Sequence, residues 1–188
     1  MNVLKKGRDV TDHRYREMIL DFTERFRTAY NEHNINFLDA IFSDDALIIT
    51  GKVIERKTAD GIRLPDEVIY KKQTKNQYLT NLRRIFNNDK KNLIRVDFDE
   101  IKVVRHPSPA LEYARCYGVT LHQSYKSGTY SDEGYLFLLW DFADENKPKI
   151  YVRTWQPDAY SKDGKTKERI AEDEIFSIAD FDDFKETK

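Results

Sequence analysis

Six residues that can build a recognition surface, Arg115, Tyr117, Trp140, Tyr151, Arg153 and Trp155, fall in stretches that alternate in strand fashion. Flat rings beside guanidinium groups can wall a cavity and hold a small anionic or aromatic ligand. The same residues could instead stack arginine on indole, or pair with carboxylates at a rim, with no ligand involved. A second set, His122, Tyr135 and Asp141, has the imidazole, phenol and carboxylate that proton transfer uses.

Strand register decides which of these can meet. With Ser127-Gly128 as the two-residue turn of a hairpin, Val119 stands opposite Leu136, Tyr117 opposite Leu138 and Arg115 opposite Trp140. An even-length loop over 144–147 carries the parity into the next strand. One face then holds Arg115, Tyr117, Val119, Leu121, Leu136, Leu138, Trp140, Tyr151, Arg153 and Trp155. The other holds Cys116, Thr120, His122, Tyr135, Phe137, Leu139, Asp141, Ile150, Val152 and Thr154. On this register Asp141 faces Ala114 and lies about 26 Å from His122, at ~3.3 Å per residue. That separation excludes a His-Asp dyad and leaves Tyr135 as the neighbour of His122. The acid-base reading therefore rests on His122 or Asp141 as base with Tyr135 as donor, and the binding reading is favoured over it.

Both faces are apolar in the middle, so each needs a cover. Helices can cover one. The C-terminal segment, or a second copy packed sheet to sheet as a homodimer, is expected to cover the other.

The positioning elements follow from periodicity. Asp12 is expected to cap a long helix whose stripe is Tyr15, Met18, Ile19, Phe22, Phe26, Ala29 and Tyr30, ending within Asn31 to Asn34. A short helix opens at Asn36 and closes at Ser43-Asp44-Asp45, and a brief strand runs over 46–50. Residues 51–73 are polar, with Gly61 and Pro65, and read as an insertion or hairpin excursion. Thr74-Lys75-Asn76-Gln77 has capping-box form and predicts a helix to about Phe86. Strands follow over 93–104, long enough to need a bulge, then 112–126, 134–142 and 149–156. Helices followed by a meander mean an α+β domain whose strongly curved antiparallel sheet wraps the first helix. Its extent is 1–157. Beyond it, 158–188 is a charged linker and an acidic amphipathic segment (Ile175, Phe176, Ile178, Phe181, Phe184) expected to dock on the domain.

Composition sets the remaining bounds. The chain's 188 residues, 39% hydrophobic and 35% charged, suit one folded domain with a heavily solvated surface. A net charge of -1 argues against nucleic acid as a partner. Between Lys71 and Arg95 basic residues dominate, which reads as a solvated helix face that the acidic tail could cover. Cys116 is the single cysteine, so neither a disulfide within the chain nor a cysteine-based zinc cluster can form. His13, His33, His106 and His122 show no short ligand spacing, and no phosphate-binding glycine loop occurs, so no metal or cofactor is expected. No run approaches a membrane span. The first ten residues lack an apolar stretch after Lys5 and Lys6, which suits a cytoplasmic location, or an extracytoplasmic one had a leader been removed.

The order of long helix, short helix ending in an Asp-rich turn, capped third helix and meander is similar to the nuclear transport factor two-like superfamily. Phe37-Leu38-Asp39-Ala40-Ile41-Phe42-Ser43-Asp44-Asp45-Ala46-Leu47-Ile48-Ile49 resembles its helix-turn-strand signature, and Tyr135 to Gln156 its hairpin. The likeness covers roughly residues 12 to 157. It extends to ketosteroid isomerase-like, scytalone dehydratase-like and polyketide cyclase-like (SnoaL-like) proteins. Tyr117-Gly118-Val119-Thr120-Leu121, Tyr130-Ser131-Asp132-Glu133-Gly134-Tyr135 and Val152-Arg153-Thr154-Trp155-Gln156-Pro157 resemble a bacterial, largely Bacteroidetes-type branch. The resemblance implies a cone-shaped sheet around helices and a homodimer through a sheet face. It leaves open whether the chain is an enzyme, a binding module or an assembly domain, because this fold carries all three.

Overall fold

The computed structural model describes residues 13–181 and the backbone of 8–9. Helix α1 (His13–Asn31) buries Ile19, Phe26, Ala29 and Tyr30, with Tyr15, Met18 and Phe22 packed at the edge of the same core. Asp12, expected to cap it, lies outside the described residues. Helix α2 (Ile35–Ile41) is capped by the Asn34 side chain, which accepts the amide of Phe37. Helix α3 (Lys75–Asn88) opens with the capping box read from Thr74 and Gln77. Together these helices fill one side of a seven-stranded sheet.

That sheet is built from β1 (Arg8–Asp9), β2 (Phe42–Lys57), β3 (Arg63–Gln73), β4 (Arg95–Arg105), β5 (Cys116–Ser127), β6 (Tyr130–Asp141) and β7 (Lys149–Pro157), in the order β1-β4-β5-β6-β7-β2-β3. All pairings are antiparallel except the parallel contact of β2 with β7. Strand β2 extends well past the expected 46–50. Its first part pairs with β7 and its second part forms a long hairpin with β3 over the stretch read as an insertion. The hairpin is polar because it runs beyond the core, which is why alternation was faint there.

Two register details move predicted residues. The β5–β6 turn is Gly128-Thr129 with Ser127 opposite Tyr130, so Tyr117 faces Trp140 and His122 faces Tyr135. Gly128 takes the first loop position with φ +61°, a conformation that glycine adopts without strain. This is a shift of two positions from the expected pairing, so each residue of β5 and β6 keeps its face. The β6–β7 pair, in contrast, is bulged: Leu139 faces Val152 while Trp140 faces Ile150. The extra residue, Tyr151, turns to the outer face. A further irregularity between Asp99 and Lys102 supplies the bulge expected in β4.

The outer face carries Phe137, Leu139 and Val152, and the C-terminal segment lies across it. Ile178 is fully buried there, flanked by Phe176 and Phe181. Gln156 fastens the segment, donating to the carbonyl of Glu174 and accepting the amide of Phe176. The segment forms short 3-10 turns at Glu172–Glu174 and Ile178–Asp180 in place of a continuous helix. Phe184 lies outside the described residues. Among those described, no ion pair joins the acidic segment to the basic stretch of 71–95; Lys75 instead pairs with Asp39 and Asp44.

Candidate functional site

A cavity of about 490 Å³ opens between the C-terminal half of α1, the inner face of α3 and the 153–157 end of β7. This volume falls in the range of small-molecule sites. Tyr30 enters from α1, Tyr78, Leu82, Ile85 and Phe86 from α3, Gly51 from β2, and Gln123, Tyr125, Tyr130, Asp132, Arg153 and Trp155 from β5 to β7.

The predicted recognition residues divide in the folded chain. Arg153 and Trp155 line the cavity. Tyr117 and Trp140 share their face but are consumed by the core at its other end: Tyr117 stacks on Tyr15 and Trp140 packs against Phe22 and Phe142. The N-terminal half of α1 fills that end, so these two rings are not cavity walls. Arg115 sits beyond the strand, its guanidinium 4.5 Å from the Tyr15 ring centre and 3.7 Å from Glu145. Tyr151, turned by the bulge, packs with Phe137, Leu139 and Val152 on the opposite side.

Arg153 is the electrostatic centre of the cavity. It is 7% exposed, and its guanidinium lies 5.0 Å from the Tyr78 ring centre. Burial opposes its charge, but Tyr78, Tyr30 and Asp132 more than offset that and hold its pKa above the ordinary value. It forms no ion pair with any described residue, and its Nε has no hydrogen-bond partner among them. A buried charge without a carboxylate partner is costly. The hydroxyls of Tyr30 and Tyr78 hydrogen-bond each other at 2.5 Å, and burial pushes the Tyr30 phenol well above its usual range.

Asp132 stands on the same wall. Its carboxyl accepts from the Tyr130 hydroxyl at 2.8 Å through one oxygen, while the other is buried without a partner. Burial raises the Asp132 pKa, and burial together with the Asp132 charge pushes the Tyr130 phenol up to about 12. Trp155 is seated by two glycines. A Cβ on Gly134 would fall 2.4 Å from the indole nitrogen, and one on Gly51 would fall 3.2 Å from the ring.

None of His122, Tyr135 and Asp141 lines this cavity. Asp141 faces Cys116 at the far end of β6 and accepts the amide of Ala143. His122 and Tyr135 are direct cross-strand neighbours, with ring centres 5.6 Å apart, but on the outer face. His122 is held by two carboxylates that sequence reading did not bring to it: Nδ1 meets Asp99 at 2.9 Å and Nε2 meets Asp158 at 3.0 Å. Burial disfavours its charge, but the hydrogen bonds it makes to Asp158 and Asp99 outweigh that and raise its pKa. An imidazole so engaged is poorly placed to act as a free base. The cavity residues missed from sequence were Tyr30, Tyr78 and Asp132; only the contact between helices could have revealed the first two, because Tyr30 read as part of the core stripe of the first helix and Tyr78 lies in the basic stretch of 71–95.

No family model and no curated protein matches the chain, whereas solved structures do. An NTF2-like protein from Cytophaga hutchinsonii superposes with TM-score 0.50 and 15% identity, over 76% of this chain and 97% of that one. The chain has the nuclear transport factor two-like fold. The same fold relates it to naphthalene 1,2-dioxygenase solved with indole in its active site (TM-score 0.57, 6% identity, 81% of this chain and 83% of that one). It also resembles Bd1075 of Bdellovibrio bacteriovorus (TM-score 0.55, 14% identity, 76% of this chain), of whose length the match covers 40%. No helix among the described residues is long and apolar enough to cross a membrane.

Proposed function

We propose that this nuclear transport factor two-like domain binds a small, planar, anionic molecule in the cavity between α1, α3 and β7, its acidic group seated on Arg153 and its ring against Trp155. The observation that carries the reading is the buried guanidinium of Arg153, which lies on the cavity wall without a carboxylate partner. A ligand carboxylate would supply that partner through charge-assisted hydrogen bonds to the guanidinium. Phe86, Leu82 and Ile85 give the apolar lining that a ring requires. A thermal-shift screen of paired aromatic acids and their neutral amides tests this. Stabilisation by acids and not by amides supports it, and equal response to both, or to neither, refutes it.

Asp132 favours a second reading, proton transfer within the same cavity. A carboxyl with a raised pKa, lining the same cavity as a hydrogen-bonded tyrosine pair, has the parts of a base and an oxyanion donor. Deuterium uptake from heavy water at the α-carbon of a bicyclic ketone, present with the native chain and absent with Asp132→Asn, would establish it. Uptake no faster than in buffer would exclude it for that substrate.

A further inference from the structure

On the outer face of the sheet, behind the cavity, His122 from β5, Glu133 from β6 and Asp158 just after β7 converge, with their ligating atoms all within 4.8 Å of one another. We propose that these three side chains bind one first-row divalent metal ion, with Asp99 of β4 as the positioning residue for His122.

Three observations support the assignment. First, the donor set of one imidazole nitrogen and two carboxylates suits zinc, whose bonds to such ligands run about 2.0–2.2 Å, or manganese. The spread of the donor atoms is of the size that surrounds one ion after small side-chain adjustments. Second, Asp99 accepts from His122 Nδ1 at 2.9 Å. With Nδ1 donating to Asp99, an incoming ion would displace the proton that Nε2 shares with Asp158 and take the Nε2 lone pair. A carboxylate behind a metal-binding histidine is a recurrent arrangement that orients the ring and raises its basicity. Third, the local charge is unbalanced. No lysine or arginine pairs with Asp99, Glu133 or Asp158 among the described residues, and Glu133 accepts only from the hydroxyl of Ser124 at 3.0 Å. Arg169, in the segment that follows β7, reaches the Tyr135 hydroxyl and Glu100 instead. Three carboxylates around one histidine form a site with surplus negative charge, which a dication neutralises.

The ion would tie three neighbouring strands to the point where the chain leaves β7 for the C-terminal segment. Because His122 and Gln123 are consecutive on β5 and Gln123 lines the cavity, the metal site would also stiffen the cavity's back wall. The site is separate from the proposed ligand cavity, and its test does not depend on a ligand.

The probe is zinc ion alone, titrated calorimetrically at pH 7.5 into the tag-free, metal-stripped full chain, with melting followed in parallel. The expected result is uptake of one equivalent and a higher melting temperature. Glu133→Gln and His122→Ala should each weaken uptake at least tenfold, and Asp99→Asn, acting through the ring orientation, by about 10–100-fold. Glu133 is exposed and unpaired with any cation, so its variant keeps the fold and serves as the decisive substitution. Absence of zinc uptake, or uptake that Glu133→Gln leaves unchanged, overturns the proposal and leaves His122 as a charged clasp between Asp99 and Asp158.

Discussion

The guanidinium of Arg153 lies 5.0 Å from the centre of the Tyr78 ring, so a strand residue and a helix residue together form the charged corner of the cavity. Neither residue has a sequence neighbour that announces this. The corner exists because β7 and α3 pack across the same end of the core, and its consequences can be measured residue by residue.

The Tyr30–Tyr78 hydrogen bond joins α1 to α3 at the cavity edge. Tyr30→Phe should cost about 1 kcal/mol of stability, since it leaves the Tyr78 hydroxyl buried without this partner. Chemical denaturation measures the cost. A neutral substitution would mean that the two hydroxyls are solvated separately.

Gly134 gives Trp155 its place. Gly134→Ala forces the indole and the adjacent strand backbone, 2.3 Å from the new methyl, to move, at an expected cost of about 1–3 kcal/mol. Affinity for an aromatic acid should fall with it. Unchanged stability and binding would place Trp155 elsewhere.

Ile178 anchors the C-terminal segment on Phe137, Leu139 and Val152. Ile178→Ala should destabilise the domain by about 2–5 kcal/mol, the range for truncating a fully buried aliphatic side chain. Sedimentation of the same variant should show self-association as the apolar face is uncovered. Wild-type stability in the variant would show that the segment does not dock.

Asp89 accepts the amides of Leu93 and Ile94 at 2.8 and 3.1 Å and pairs with His33 at 2.8 Å. Burial alone would raise its pKa; these hydrogen bonds outweigh burial and lower it. A carboxyl whose folded pKa lies below its unfolded value, about 3.9, stabilises above that value and loses the contribution as pH falls through the folded pKa. Asp89→Asn should therefore be less stable than the native chain at pH 7, by about 1–2 kcal/mol in chemical denaturation, and the gap should narrow towards pH 3. A gap independent of pH would assign the cost to shape and not to charge.

Much of the fold was legible because it rests on local chemistry. The stripe from Tyr15 to Tyr30 and the Thr74–Gln77 capping box are readable within a few residues. The face shared by Arg153 and Trp155 was also readable, because Leu138 faces Arg153 and Leu136 faces Trp155, as an even-length loop over 144–147 requires. Tyr151 was not, since a bulge inverts parity and leaves no mark in the alternation. Tyr117 and Trp140 lie on the expected face, but the first half of α1 covers them with Tyr15 and Phe22, which strand pattern does not reveal. Asp99 and Asp158 reach His122 only through long-range pairing and the turn after β7. Histidine spacing along the chain therefore carried no hint of that cluster.

Calorimetric titration with 2-naphthoate, set beside 2-naphthamide of nearly equal shape, tests the central claim most directly. The carboxylate should bind saturably and one-to-one, at least tenfold tighter than the amide, and a folded Arg153→Met variant should lose that preference. Equal affinity for acid and amide, no binding of either, or a preference that survives Arg153→Met would contradict it.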